Sequence, residues 1–180
     1  MLQASISKND KLAKWLIGIF SVVVFTVVVL LSKFKLDVDL GFDVHIFAKA
    51  NAVINSIIAV LLGAFGAHAL KSVLTPEKLV SYETGVRYQL IHALALITLS
   101  IYGQLNKSND ILNKGIGWAA HFFIVGAFLF SGSIYGLALL SVIHPSWAFI
   151  LGPVTPIGGL CFMLGWAIWA RAVWLNKVDM

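Results

Sequence analysis

Between Tyr82 and Leu96 the chain reads YETGVRYQLIHALAL, which holds Glu83, Arg87, Tyr88, Gln89 and His92. A carboxylate, a guanidinium, a phenol, a carboxamide and an imidazole could serve proton transfer, anion binding or metal ligation. Here they stand at the mouth of a long apolar run. At 100° per residue, Tyr88, Gln89 and His92 share one side of a helix, continued by Ala95 and Leu99. Glu83 and Arg87 are four apart and point nearly the opposite way, as an i,i+4 pair at a membrane rim where Arg also reaches phosphate. An ionisable group at membrane depth is a functional candidate. The competing use, a neutral His hydrogen-bonding to a neighbouring helix, carries the larger weight for His92. The spacing predicts that Tyr88, Gln89 and His92 face a helix-bundle interior while Glu83 and Arg87 stay at the rim.

His121 lies in a later apolar run, on a face with Phe128, Gly132, Tyr135 and Leu139. Together with His92 it raises the idea of a bis-histidine haem or a metal. Neither histidine has a supporting ligand at i+3 or i+4 or a nearby carboxylate, so packing through hydrogen bonds is the stronger expectation. His68 closes another run in GAFGAHALK, at an interface where a histidine costs little. Glu83 is the only acidic residue between Lys78 and Asn109, so neither a paired-carboxylate site nor a carboxylate proton relay is supported. No P-loop, nucleophile elbow, H-E-x-x-H or dinucleotide fingerprint occurs. The residues predict no catalytic site, no cofactor and no metal. Cys161 is the only cysteine, which excludes an intrachain disulfide.

The elements that hold these residues follow from composition. Of 180 residues, 59% are hydrophobic and 12% charged, with a mean hydropathy of +0.91. Soluble domains carry about a quarter charged residues, so this is the composition of a polytopic membrane protein. The net charge of +5 is spread over loops with no basic stripe, which fits loops facing anionic lipid rather than nucleic acid. Five apolar runs predict five spans. The first, Trp15 to Ser32, is uncharged and has no small-x-small cleavage site behind it, so it reads as an anchor helix. The others run over about 47–69, 88–105, 116–143 and 147–174. Thr75 and Pro76 cap and start a surface helix before the third run. Pro153 and Pro156 break the start of the last span, and Trp166, Trp169, Arg171 and Trp174 mark a membrane boundary. Lys and Arg are nearly even on alternate sides, so orientation stays open.

In the second run Ala52, Ser56, Ala59, Gly63 and Gly66 fall within about 80° on the wheel. Small residues so placed let helices approach closely in lipid, and Gly132 and Gly136 repeat the device as G-x-x-x-G. Asn51 and Asn55 flank the stripe as polar glue or as ligands to a partner. The fold class expected is an all-α integral membrane protein. An anchor region (1–46) precedes a four-helix bundle (47–175) and a short tail (176–180).

LGAFGAHALK, YETGVRYQLIHALAL, FSGSIYGLALL and GPVTPIGGLCFMLGW resemble, in order, the signatures of the domain-of-unknown-function 423 family. The resemblance covers roughly residues 60–172. It implies a small, usually four-span, inner-membrane protein, here of a bacterial inner membrane, without an assigned reaction. The front of the chain, KLDVDLGFDVHIFAKANAVINSIIAVLL, is similar to the start of the domain-of-unknown-function 420 family, some members of which resemble assembly factors of haem-copper oxidases. The two resemblances meet near Leu62–Gly63, as in a composite chain. The expected role is structural, or binding of lipid or a membrane partner, self-association included. Alternatives are an accessory to a respiratory complex and a small-solute or ion pathway.

Overall fold

A computed structural model describes residues 43–140, 149 and 151–178. The anchor run at 15–32 and the matter of where the N-terminus lies fall outside these residues.

Helix α1, Val44–His68, begins at a cap the sequence reading had placed in a loop. The Asp43 carboxylate accepts the His45 backbone N–H at 2.9 Å, satisfying one of the orphan donors of a helix start. Burial pushes the Asp43 carboxyl up, but that bond and the neighbouring His45 and Lys107 charges outweigh it and hold the group below its ordinary value. The bundle therefore starts before residue 47. His45 belongs to it, because its carbonyl accepts the Ser100 hydroxyl at 2.7 Å.

After a single 3-10 turn at Leu70–Ser72, Thr75 caps α2 with Pro76 in its first turn. The Glu77 backbone N–H and the Thr75 hydroxyl hold the exposed Glu77 carboxyl below its ordinary value. The expected surface helix turning into a separate span is instead one helix, Pro76–Leu105. It runs straight through because its first turns already pack. Tyr82 is fully buried and donates to the Leu62 carbonyl at 3.0 Å, and Gly85 lies against Tyr135.

Helix α3, Asp110–Leu140, is started by Asn109, whose side chain accepts the Leu112 N–H at 2.9 Å. Helix α4 is Val154–Val178, beyond the expected bundle end at 175. Gly152 and Pro153 form a turn before it, which supplies the expected break. Pro156 does not break the chain. It sits in the first turn of α4, where its missing N–H would have had no intrahelical acceptor.

Each helix runs antiparallel to the next. The contacts Asp43–Lys107, Lys49–Gln104 and Asn109–Asn176 gather the start of α1, the end of α2, the start of α3 and the end of α4 at one end of the bundle. Helix α2 packs between α1 and α3, and α4 packs on the other side of α3. Helix α3 is thus the centre, with 67% of its most apolar window buried against 22% in α1 and in α4. Three helices, all but α2, are long and apolar enough to cross a membrane. Helix α2 is less apolar because it carries the inward polar side chains. Polar groups lie inside: Asn51, Gln89, His92, Ser100 and Ser131 are buried. Large apolar side chains lie outside, among them Val53, Ile57 and Leu61 on α1 and Leu160, Met163 and Leu164 on α4. That arrangement suits a solvent of hydrocarbon.

Candidate functional site

The polar side chains of the opening stretch are sorted by the helix that carries them. Gln89 is 6% exposed and His92 4%, whereas Glu83 and Arg87 are both exposed on the far side of α2. The sorting matches the wheel, with two corrections. Glu83 and Arg87 are not within ion-pair distance of each other, since exposed side chains in this geometry gain too little to be held together. Tyr88 is 40% exposed, with one ring face laid on Phe130 at a centroid distance of 4.7 Å.

Gln89 joins three helices. Its Nε2 donates to the Asn55 backbone carbonyl and to the Asn55 Oδ1, each at 3.3 Å, and its Oε1 accepts the Tyr135 hydroxyl at 2.8 Å. Asn55 in turn donates to the Asn51 carbonyl at 3.0 Å, and Asn51 to that of Phe47 at 3.0 Å. The Tyr135 ring lies 5.0 Å from that of Tyr82, the residue tied to Leu62. One buried carboxamide therefore fastens α1, α2 and α3. Such bonds between membrane helices contribute on the order of 0.6 kcal/mol each, because the alternative is another partner rather than water.

His92 faces the other way, across α3 to α4. Its Nδ1 lies 2.8 Å from the Tyr88 carbonyl, and the Trp166 indole Nε1 donates to its Nε2 at 3.3 Å. A carbonyl only accepts and an indole N–H only donates, so both contacts together require the neutral ring with its proton on Nδ1. The ring stacks on Phe162 at a centroid distance of 3.4 Å and meets Phe123 at 5.4 Å. None of its contacts is with His121. His121 stands apart from the cluster, half-buried, with Nδ1 2.9 Å from the Gly117 carbonyl and Trp118 beside it. Trp166 thus packs on His92 and Phe123 while staying 43% exposed, and Arg171 and Trp174 are exposed.

The small-residue stripe of α1 faces α2. Ala52 and Ala59 are fully buried; a Cβ on Gly66 would stand 2.8 Å from the Tyr82 ring, and one on Gly63 3.3 Å from Val86. Ser56 is half-buried and donates to the Ala52 carbonyl. The second device shows no seam among the described residues: there a Cβ on Gly132 would meet just Phe128 of its own helix, at 3.9 Å, and Gly136 is buried. The close α3–α4 seam lies elsewhere. A Cβ on Gly126 would press on Phe162, one on Gly165 on Phe123, and one on Gly158 on the Phe130 backbone. Hydroxyls of Ser133 and Thr155, 2.7 Å apart, and the Asn109–Asn176 pair at 2.8 Å close the two ends of that seam. Sequence reasoning missed it, although Thr155, Gly158, Phe162, Gly165, Trp169, Ala172 and Asn176 follow alternating steps of three and four. Among the described residues no three His, Cys, Asp or Glu gather in one place.

Comparison with known proteins places residues 62–159 in a match to the family described as Protein of unknown function (DUF423). A UPF0382 membrane protein of Schizosaccharomyces pombe is 42% identical over 117 residues, covering 64% of this chain and 92% of that protein. The UPF0382 inner membrane protein YgdD of Escherichia coli K12 is 38% identical over 117 residues, 65% of this chain and 81% of its own length. A UPF0382 membrane protein of Staphylococcus epidermidis is 36% identical over 115 residues, 64% of this chain and 84% of its own. No solved structure matches the chain at a significant level.

Proposed function

Because the chain belongs to the DUF423 family of membrane proteins, we propose that it is a non-enzymatic inner-membrane protein whose outer faces bind lipid or a membrane partner. The inner-membrane location is carried over from the bacterial relative of that name. The observation that supports the binding role is the pairing of the polar atoms of Gln89 and His92 within the bundle. Gln89 uses its amide nitrogen on Asn55 and its oxygen on Tyr135, and His92 uses both ring nitrogens on Tyr88 and Trp166. A catalytic or conducting site needs groups turned toward a substrate; these are taken up by neighbouring helices and, at His92 Nδ1, by the backbone of its own helix. What remains for recognition is the apolar outside of α1 and α4.

The test is purification in mild detergent followed by native mass spectrometry, with an absorbance spectrum and a solute-flux assay in liposomes on the same preparation. The reading expects retained phospholipid or a co-purifying membrane protein, and retention of that same ligand in Gln89→Leu protein that still folds. A Soret band would move the assignment to an accessory of a respiratory complex. A flux lost in Gln89→Leu would move it to a solute pathway.

A further inference from the structure

The backbones of α2 and α4 stand apart, each packed on α3, and the two helices meet through side chains, chiefly His92 stacked on Phe162. Among the described residues two hydrogen bonds cross between them. The Trp166 indole donates to His92 Nε2 at 3.3 Å, and towards the other end of the helices Asn176 Nδ2 donates to the Tyr102 hydroxyl at 3.4 Å; the first is the one a proton can break. We infer that this contact is a protonation-sensitive clasp: a proton taken up on His92 Nε2 releases Trp166 and lets α4 shift against α2.

The argument rests on the chemistry of the two atoms. In the closed state Nδ1–H is committed to the Tyr88 carbonyl, so the lone pair on Nε2 is what the indole N–H binds. A proton from the aqueous phase can join the ring only at Nε2. It then sets an N–H donor against an N–H donor, and the bond is replaced by a repulsive contact. No second acceptor on the imidazole can take over. The groups that face His92 are Tyr88 from α2, Phe123 from α3, and Phe162 and Trp166 from α4. None is a carboxylate, so nothing in contact neutralises the imidazolium, and movement of the helix carrying Phe162 and Trp166 is what admits water to it. Trp166 is 43% exposed and Tyr88 40%, so the clasp has its outer edge at the surface of the bundle, with Phe123 of α3 behind it. The seam of α4 on α3 shares Phe162 and Phe123 with the clasp, at Gly126 and Gly165, while its contact at Gly158 is with the Phe130 backbone and makes no use of His92.

Two readouts on the full chain in lipid nanodiscs test this. Nitrogen-15 spectra of labelled histidine and tryptophan follow His92 and the Trp166 indole together as pH is lowered. A pair of spin labels at Ile91→Cys and Met163→Cys, with Cys161→Ser, measures the α2–α4 separation. Near neutrality His92 should show a protonated Nδ1 and a bare Nε2. On acidification the Trp166 indole signal should move along the same curve as Nε2, and the label separation should lengthen by at least about 2 Å. His92→Gln keeps an acceptor for the indole and does not titrate, so in that background the separation should stay fixed. The inference is overturned by a protonated Nε2 at neutral pH, by a Trp166 signal indifferent to His92, or by equal lengthening in His92→Gln. It is equally overturned if His92 takes up no proton before the fold is lost.

Discussion

At the residue scale, His92 and Arg87 are five positions apart on one helix and should respond to substitution in opposite ways. His92→Leu removes the acceptor of the Trp166 indole and the stacked partner of Phe162, and should lower stability by about 1 kcal/mol in thermal melts in nanodiscs. Arg87→Lys changes an exposed side chain with no ion pair and should stay within about 0.5 kcal/mol of the parent. Equal losses would mean the division of this stretch is mistaken. Asp43 gives a pH-dependent counterpart. Its folded-state carboxyl titrates below its ordinary value, so its contribution is complete above the ordinary carboxylate range and is lost as pH falls through the lowered value. Asn also caps helices well but carries no charge, so melts of Asp43→Asn across the acid range should lack that slope. A parent and variant with superimposable acid limbs would contradict it. The inward facing of Gln89 and His92 was legible from helical periodicity, because hydrocarbon leaves polar groups no other side to face. Their partners were not, since Asn55, Tyr135 and Trp166 are brought to them only by the register between helices.

At the element scale, the glycines of α3 and α4 divide by what a methyl group would meet. A Cβ on Gly158 would run into backbone atoms of Phe130, which no side-chain rotation relieves, so Gly158→Ala should separate α4 from α3 or prevent folding. Among the described residues a Cβ on Gly132 meets just Phe128 of its own helix, at 3.9 Å, and alanine is the better helix former, so Gly132→Ala should leave stability unchanged or raise it by up to about 1 kcal/mol. Folded yield and melting temperature in detergent check both, and the reverse order would place the seam at the G-x-x-x-G pair after all. That motif led the sequence reading to Gly132 because a spacing rule sees one helix at a time. The actual seam matches Phe130 to Gly158, Phe162 to Gly126 and Phe123 to Gly165, a complementarity of large to small that appears only when the antiparallel register is known. The caps were unevenly legible. Thr75–Pro76 announced the start of α2, while Asp43 lay unrecognised in a polar loop.

At the scale of the whole molecule, the described helices form a bundle whose apolar core encloses the polar side chains of the helices, with further large apolar side chains on the outside. Among the described residues helix α3 lies at the centre, and the outer faces of α1 and α4 are apolar. Composition alone announced a polytopic membrane protein. Which helix lies in the middle could not be read, because α1, α3 and α4 are all apolar enough to cross and only their packing distinguishes them. The central claim is this inside-out sorting, and it can be tested without changing a residue. Wild-type protein in liposomes would be labelled with a phospholipid carrying a photoactivatable acyl chain, and the adducts mapped by mass spectrometry. The account predicts adducts on Val53, Ile57 and Leu61 of α1 and on Leu160, Met163 and Leu164 of α4, with Gln89, Ser100 and Ser131 spared. Adducts concentrated on Gln89, Ser100 and Ser131, with the outer faces of α1 and α4 protected, would contradict it.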